Sequence, residues 1–149
     1  MARLVALIFL VVVIGFFWIF YGTPVHDFRL SILERQFTQA HINHPSDSVF
    51  LARRSFLGGP SPHGSAQCVY ATGEVRHAML DKSDIQNAYR DSSVGKQPLK
   101  IYFTDESELP YEIPFGEWQE ELGDVNTGTV YIVYITTSNH YLGDLRCDN

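Results

Sequence analysis

The sequence predicts an α+β protein: an N-terminal transmembrane helix followed by a small domain with an amphipathic helix packed on an antiparallel sheet of about four strands. Three observations predict this class. Residues 1–22 form an apolar leader, apolar residues recur at helical spacing over residues 25–42, and several later runs are rich in β-branched and aromatic residues. The order helix, two strands, helix, two strands is typical of helices covering an antiparallel sheet.

The leader has the length and composition of a membrane span. Residues 4–21 contain no charge and no proline, and at about 1.5 Å per helical residue they reach across roughly 30 Å of hydrocarbon. The run is apolar all round, unlike the amphipathic helix of a soluble domain. We therefore predict a transmembrane signal-anchor over residues 1–22 with its N-terminus inside. Its outer end carries the aromatic residues expected at a membrane interface, namely Phe16, Phe17, Trp18, Phe20 and Tyr21.

A cleaved secretory signal is the alternative interpretation of the leader. Such signals also begin with a positive region, which here is Arg3 and the α-amine. Their apolar cores usually extend ~7–15 residues and end in a small-x-small site. This core is longer, and bulky aromatics precede Gly22. An uncleaved anchor is favoured, with secretion after cleavage as the alternative.

Residues 23–149 are predicted to form one extracytoplasmic α+β domain, because their number suits a single hydrophobic core. Without Arg3, the chain has ten Lys or Arg against seventeen Asp or Glu, a formal charge of −7. This balance disfavours nucleic acid. The predicted partners are the lipid bilayer and another envelope protein. Asn-x-Ser/Thr acceptors are absent, which suits a bacterial inner membrane facing the periplasm.

The two cysteines predict a disulfide. Cys68 and Cys147 both follow the predicted span, and in an oxidising compartment an even pair in a small domain favours a cross-link. The bond would close a loop of about 80 residues, worth ~4 kcal/mol in the chain-entropy model. Two unrelated thiols are the alternative.

The predicted elements of the domain follow in chain order. Gly22-Thr23-Pro24 predicts a break and a new helix start. A stripe of apolar residues at helical spacing then continues to a stop near Pro45. Strands are predicted over residues 49–57 and 67–79, joined by a hairpin-type connection rich in Gly and Pro, with one face of the second strand solvated. The stripe consists of Val25, Phe28, Ile32, Leu33, Phe37 and Ala40.

Three further elements are predicted in the second half. A short helix capped by Asp81 or Ser83 extends to about Arg90. A half-buried strand follows around residues 99–104, and residues 129–137 form the strongest strand, which should lie centrally. The arrangement resembles in outline the cystatin-type and nuclear-transport-factor-type helix-on-sheet architectures, and no motif of either family is present.

No catalytic or cofactor motif is present. The sequence has no Gly-x-Ser-x-Gly elbow, phosphate-binding loop, dinucleotide glycine pattern or His-Glu-x-x-His. No cofactor and no catalytic residue are therefore predicted. The favoured function is a non-catalytic interaction or assembly module of the cell envelope.

Weak candidates for metal or partner contact are two pairs. His41 and His44 are three residues apart, and Asp47 would be a third ligand. Asp124 and Asn126 start a calcium-loop-like sequence, but the twelfth position is Ile135 rather than the required Glu. The simpler interpretations are an exposed helix end and an acidic loop, respectively.

Two arginines interrupt the first strand. Arg53 and Arg54 lie on opposite faces of it. We expect an edge strand or ion pairs with the acidic segment around residues 105–124.

Two alternative functions remain. The first is a pocket between the helix of residues 25–42 and the sheet, which would bind a small apolar molecule. The second is a hydrolase that uses His and carboxylate side chains. The expected pocket residues are Phe28, Phe37, Tyr102 and Tyr134.

Overall fold

The structure is a computed structural model that describes residues 2–58, 67–105, 127–140 and 147, and for residues 2, 17–23, 67 and 140 it describes only the backbone. The described residues form two helices and six strands. In chain order these are α1 Ala2–Gln39, β1 Val49–Gly58, β2 Gln67–Ala78, α2 Lys82–Tyr89, β3 Ser93–Val94, β4 Gln97–Pro98, β5 Lys100–Phe103 and β6 Thr129–His140.

Four strands form one antiparallel sheet in the order β1-β2-β6-β5. The α+β class with a four-stranded antiparallel sheet is therefore confirmed, as is the central position of β6. Among the described strands β1 lies at an edge of the sheet, which was one of the two alternatives predicted from Arg53 and Arg54. Strand β6 runs beside β2 over its whole length, from Thr129 opposite Ala78 to His140 opposite Gln67.

Helix α1 is continuous, so the predicted break at Gly22-Thr23-Pro24 is wrong. Pro24 lies inside the helix, where a proline removes one backbone hydrogen bond and can be accommodated by a kink. The helix ends at Gln39, three residues earlier than predicted. His41 and His44 consequently lie in the connection to β1 rather than on a helix.

The buried stripe of α1 also differs from the predicted one. Leu33 and Phe37 are buried as expected, but Phe28 is 66% exposed. His26, about two turns before Leu33, is fully buried instead. A polar residue is stable there because it hydrogen-bonds the Tyr70 hydroxyl. Hydrophobic periodicity misses such a position because it counts only apolar residues.

The first part of α1 exposes its apolar side chains. Apart from the half-buried Val13, the large ones between Leu4 and Phe16 are 50–68% exposed. Among the residues whose side chains the structure describes, no helical stretch is both long and apolar enough to cross a membrane.

The second part of α1 packs on the sheet together with the disulfide. Leu33 and Phe37 contact Tyr70 and Ile135 in one cluster that also contains Cys68 and Cys147. The two sulfurs are bonded, which confirms the predicted cross-link. Burying side chains of this size contributes about 1.5–3 kcal/mol each. Helix α2 covers the neighbouring part of the same face, where Ile85 and Tyr89 pack on strands β5 and β6.

Both faces of β2 are buried, so the predicted solvated face is wrong. Tyr70, Thr72, Glu74 and Arg76 lie beneath the helices and are at most 8% exposed. On the opposite face, Val75 belongs to a second cluster. The alternation of polar and apolar residues was misleading because these polar side chains are paired with other protein groups rather than with water.

The β3–β4 hairpin was not predicted. Its strands are two residues long, too short for periodicity to detect. Gly95 has a φ of +62°, a value that favours glycine in a tight turn. Val94 holds the hairpin in place, because it is buried in the cluster that contains Leu33 and Phe37, which we call the α1 cluster.

Gly73 marks a close approach of β2 and β6. A Cβ atom added there would lie 2.5 Å from the Tyr134 Cβ and 2.5 Å from the Val133 carbonyl oxygen. We expect Gly73→Ala to lower the free energy of unfolding by about 1–3 kcal/mol, measured by urea denaturation. Gly15→Ala is the control, since nothing lies within 4 Å of that position. Equal stability of the two variants would contradict the close approach.

Candidate functional site

The most connected polar site surrounds Glu74, beneath the helices. The carboxylate is only 5% exposed, and Arg53 is directly opposite it on β1. Arg76 follows two residues later on the same face of β2. We call the set the Glu74 cluster; its members are His44, Ser48, Arg53, Glu74, Arg76, Tyr89 and Tyr131.

Two arginines neutralise Glu74. Arg53 Nη2 donates to Glu74 Oε1 at 2.6 Å, and Arg76 Nη1 donates to Oε2 at 2.5 Å. Burial alone raises the pKa of the Glu74 carboxyl, but the hydrogen bonds and charges of both arginines outweigh it and hold that pKa below its ordinary value. Glu74 is therefore ionised at neutral pH, and the three charges sum to +1.

A chain of hydrogen bonds continues from Arg76. Its Nε donates to Ser48 Oγ at 2.7 Å and its Nη2 to the Ser48 carbonyl at 3.1 Å. Ser48 Oγ lies 2.8 Å from the Tyr131 hydroxyl, which lies 3.2 Å from the Tyr89 hydroxyl. Tyr89 in turn lies 2.8 Å from His44 Nδ1.

The imidazole of His44 also approaches Glu74, since its Nε2 lies 3.7 Å from Glu74 Oε2. This distance is too long for a hydrogen bond, so the ring of residues is closed by a contact at this point. Burial and the Arg76 charge lower the pKa of the imidazole, against a smaller opposite effect of Glu74. Burial, followed by the hydrogen bond with Tyr131, raises the pKa of the Tyr89 phenol. Both groups are therefore neutral at neutral pH, and Glu74 and the two arginines carry the charges of the ring.

The geometry makes this cluster a clamp between elements. His44 and Ser48 belong to the α1–β1 connection, Tyr89 ends α2, and Glu74 and Tyr131 lie on the central strands. Each hydroxyl in the ring is engaged with another member, and Ser48 bonds Arg76 and Tyr131 rather than an imidazole. A nucleophile needs a base within hydrogen-bond reach, and the ring supplies Ser48 with a guanidinium instead.

We expect the domain to lose stability on acidification in two pH ranges. The folded pKa of His44 lies below 6.5, so the unfolded chain takes up this proton first and stability is lost as the pH falls below 6.5. The pKa of Glu74 is lowered from 4.5. Its ionised carboxylate therefore stabilises the fold above pH 4.5, and this stability is lost as the pH falls below that value. Urea midpoints from about pH 8 to about pH 3 measure both. His44→Gln should remove only the upper step, and a superimposable wild-type profile would contradict its assignment.

The weak metal candidates do not come together in the described part of the chain. His41 is exposed, and Asp47 Oδ2 accepts a hydrogen bond from the Met79 amide at 3.0 Å. His44 hydrogen-bonds the Tyr89 hydroxyl and contacts Glu74 instead. Asp124 and Asn126 lie outside the described residues, so their contact stays a prediction.

One group of described residues has the spacing of metal ligands, namely His26, Cys68 and Cys147. The disulfide prevents the two sulfurs from acting as thiolate ligands. His26 Nε2 lies 3.5 Å from Cys68 Sγ. Sequence reasoning missed this histidine because it lies on the helix stripe without a motif around it.

Arg53 pairs with Glu74 within the sheet. The acidic segment lies mostly outside the described residues, so its pairing with Arg53 or Arg54 stays a prediction. The Arg53 guanidinium also donates to Thr38 Oγ1 of α1 at 3.2 Å. At the described start of that segment, Lys82 Nζ lies 2.7 Å from Asp105 Oδ1 and lowers the pKa of this exposed carboxyl.

The four expected pocket residues are separated by the sheet. Phe37 packs on the face beneath the helices, Tyr102 and Tyr134 belong to the cluster on the opposite face, and Phe28 is exposed. A different cavity, of about 180 Å³, lies between α1 and the sheet near Tyr70, with Arg29 and Gln97 among its lining residues.

Comparison with known protein families, curated proteins and solved structures gave no match to this chain.

Proposed function

We propose that this chain is a membrane-anchored protein whose residues 23–149 form a non-catalytic interaction or assembly module of the cell envelope. The working location is a bacterial inner membrane, with the domain facing the periplasm. The observation that carries the proposal is that a single helix, α1, joins an exposed apolar segment to a packed domain.

The apolar segment is the part proposed to lie in lipid. Apolar side chains from Leu4 to Phe16 are more than half exposed on average, and water would penalise this surface by about 25 cal/mol per Å². In the sequence the run continues without charge to Tyr21. A bilayer is the occupant that suits an apolar surface extending all round a helix.

The domain has features of an extracytoplasmic binding module. Its disulfide favours an oxidising compartment, and its polar cluster serves to clamp elements rather than to supply a nucleophile. Edge strand β1 has a neighbour on one side only among the described strands. Val49 and Phe50 at its start are 55% and 49% exposed, beside Met79 at 68%. We place the partner contact here, where a strand of an envelope protein can add to the sheet.

Membrane fractionation with thiol labelling tests the anchor. The wild-type chain should stay with the membrane, and its thiols should label only after reduction. Leu10→Arg combined with Val11→Arg should release the chain, since a charge at the centre of a span costs about 2.5–3.5 kcal/mol. Phe28→Arg is the matched control on the same helix and should remain in the membrane.

Three outcomes would count against this location. Recovery of the wild-type chain in the soluble fraction with both thiols free would overturn it. A mature chain lacking the leader in the medium would favour secretion after cleavage. Equal behaviour of the double-arginine variant and Phe28→Arg would show that the apolar run does not anchor the chain.

Co-purification in a non-ionic detergent tests the partner. A stoichiometric envelope protein should accompany the wild-type chain and be lost with Phe50→Asp. Lys96→Asp in the exposed β3–β4 turn is the control and should retain it. Retention of the partner by both variants would move the contact away from β1.

A further inference from the structure

The cavity between α1 and the sheet carries an inference independent of the anchor. It has a volume of about 180 Å³ and opens between Ile32 and Leu33 of α1, Tyr70 of β2 and Gln97 of β4. Typical ligand pockets measure roughly 300–1,000 Å³. This cavity therefore suits a molecule of fragment size, or about six waters at ~30 Å³ each.

Two residues that line the cavity each carry a buried polar atom with no hydrogen-bond partner within the described part of the chain. The two atoms are Arg29 Nη1 and Gln97 Oε1. Leaving such an atom unsatisfied costs about 1–3 kcal/mol, and native structures contain few of them. The two residues come from separate elements, a helix and a hairpin, and both line one cavity. Because the two atoms are buried, a ligand in the cavity reaches them when their side chains turn toward it.

The two atoms require hydrogen-bond partners of opposite kinds. A guanidinium N–H requires an acceptor and prefers an anionic one, whereas an amide oxygen requires a donor. Among the lining residues that the structure describes, Arg29 is the only one with a charged side chain. A ligand with one negative charge therefore matches the site better than a dianion. Ile32, Leu33 and the Tyr70 ring provide an apolar wall for a short side chain.

We propose that this cavity binds a small monocarboxylate that also carries an N–H or O–H donor, such as an N-acylated amino acid. The carboxylate accepts a hydrogen bond from Arg29, the donor bonds Gln97, and the short side chain contacts Ile32 and Leu33. This differs from the purely apolar ligand expected from the sequence, because two residues that line the cavity carry unsatisfied polar atoms.

Isothermal titration of the full chain in non-ionic detergent micelles tests the proposal. The probes are N-acetyl-L-alanine, its neutral amide, and propionate, which has the carboxylate but no donor. N-acetyl-L-alanine should bind with a Kd of about 0.1–10 mM, given its nine non-hydrogen atoms. Its amide should bind about tenfold or more weakly, because the charge-assisted bond to Arg29 is lost.

Variants assign the two contacts separately. Arg29→Met should abolish the preference for the acid over its amide. Arg35→Gln is the matched control, because Arg35 is an exposed cation of the same helix that does not line the cavity. Gln97→Leu should make N-acetyl-L-alanine and propionate bind equally. Without ligand, Arg29→Met should have a Tm equal to or above that of the wild type, because it removes an unsatisfied buried group.

Several results would overturn the proposal. They are no heat of binding up to about 10 mM N-acetyl-L-alanine, equal binding of acid and amide by the wild type, or an unchanged preference in Arg29→Met. Binding of inorganic phosphate as tightly as the acid would refute the match to a single charge. A structure solved with N-acetyl-L-alanine present that shows only ordered water in the cavity would refute the proposed binding site.

Discussion

Replacing Glu74 with leucine will lower the free energy of unfolding by about 3–5 kcal/mol, the cost of leaving a buried charge without its partner. The side chain of Arg76 is 10% exposed and cannot reach bulk water without disrupting the cluster. Arg53 is 41% exposed and can turn outward. The penalty therefore comes mainly from Arg76. Urea denaturation of the full chain in detergent, followed by circular dichroism, measures it.

Two controls separate this explanation from a general packing defect. Arg53→Met removes a partly exposed partner and should cost only about 1 kcal/mol or less. Glu74→Leu combined with Arg76→Met removes both buried charges and should be more stable than Glu74→Leu alone, since paired removal often costs little. A double variant less stable than Glu74→Leu would refute the unpaired-charge explanation.

Removing the disulfide will have the second large effect. Cys68 and Cys147 are 79 residues apart in sequence, and opening a loop of this length costs about 4 kcal/mol in the chain-entropy model. Both cysteines lie in the α1 cluster, so the bond also holds the last described residue of the chain against the helix. Cys68→Ser with Cys147→Ser should lower the urea midpoint accordingly.

Reduction of the wild-type chain is the control for the serine substitutions. It should reproduce most of their effect without adding hydroxyls to the core. A domain with the usual 5–15 kcal/mol of stability would be left with little reserve after this loss. An unchanged midpoint after complete reduction would show that the loop is held closed by packing alone.

The sequence predicted elements well where local pattern and environment agree. β6 was predicted as central because β-branched and aromatic residues occupy both of its faces, and Tyr131 to Ile135 are indeed buried on both. The edge position of β1 followed from Arg53 and Arg54. The disulfide was predicted from the expected oxidising compartment and from the cysteine count, since the sequence has only two cysteines to pair.

Prediction failed where a polar side chain is buried by pairing. Arg76 and Glu74 were interpreted as a solvated face, although their charges compensate each other. His26 was missed on the helix stripe because Tyr70 comes from a position 44 residues away. In each case the partner is brought near by the fold and not by local spacing.

The sequence by itself determined the α+β class, the apolar leader, the succession of the main helices and strands along the chain, and the disulfide. These follow from local periodicity, composition and residue count, which act over short stretches of chain. Only the tertiary structure decided that α1 continues through Pro24, that the Glu74 cluster forms a closed ring, and that Arg29 and Gln97 share a cavity. Such features depend on contacts between residues far apart in the chain, and the register of the sheet and the packing of α1 set those contacts.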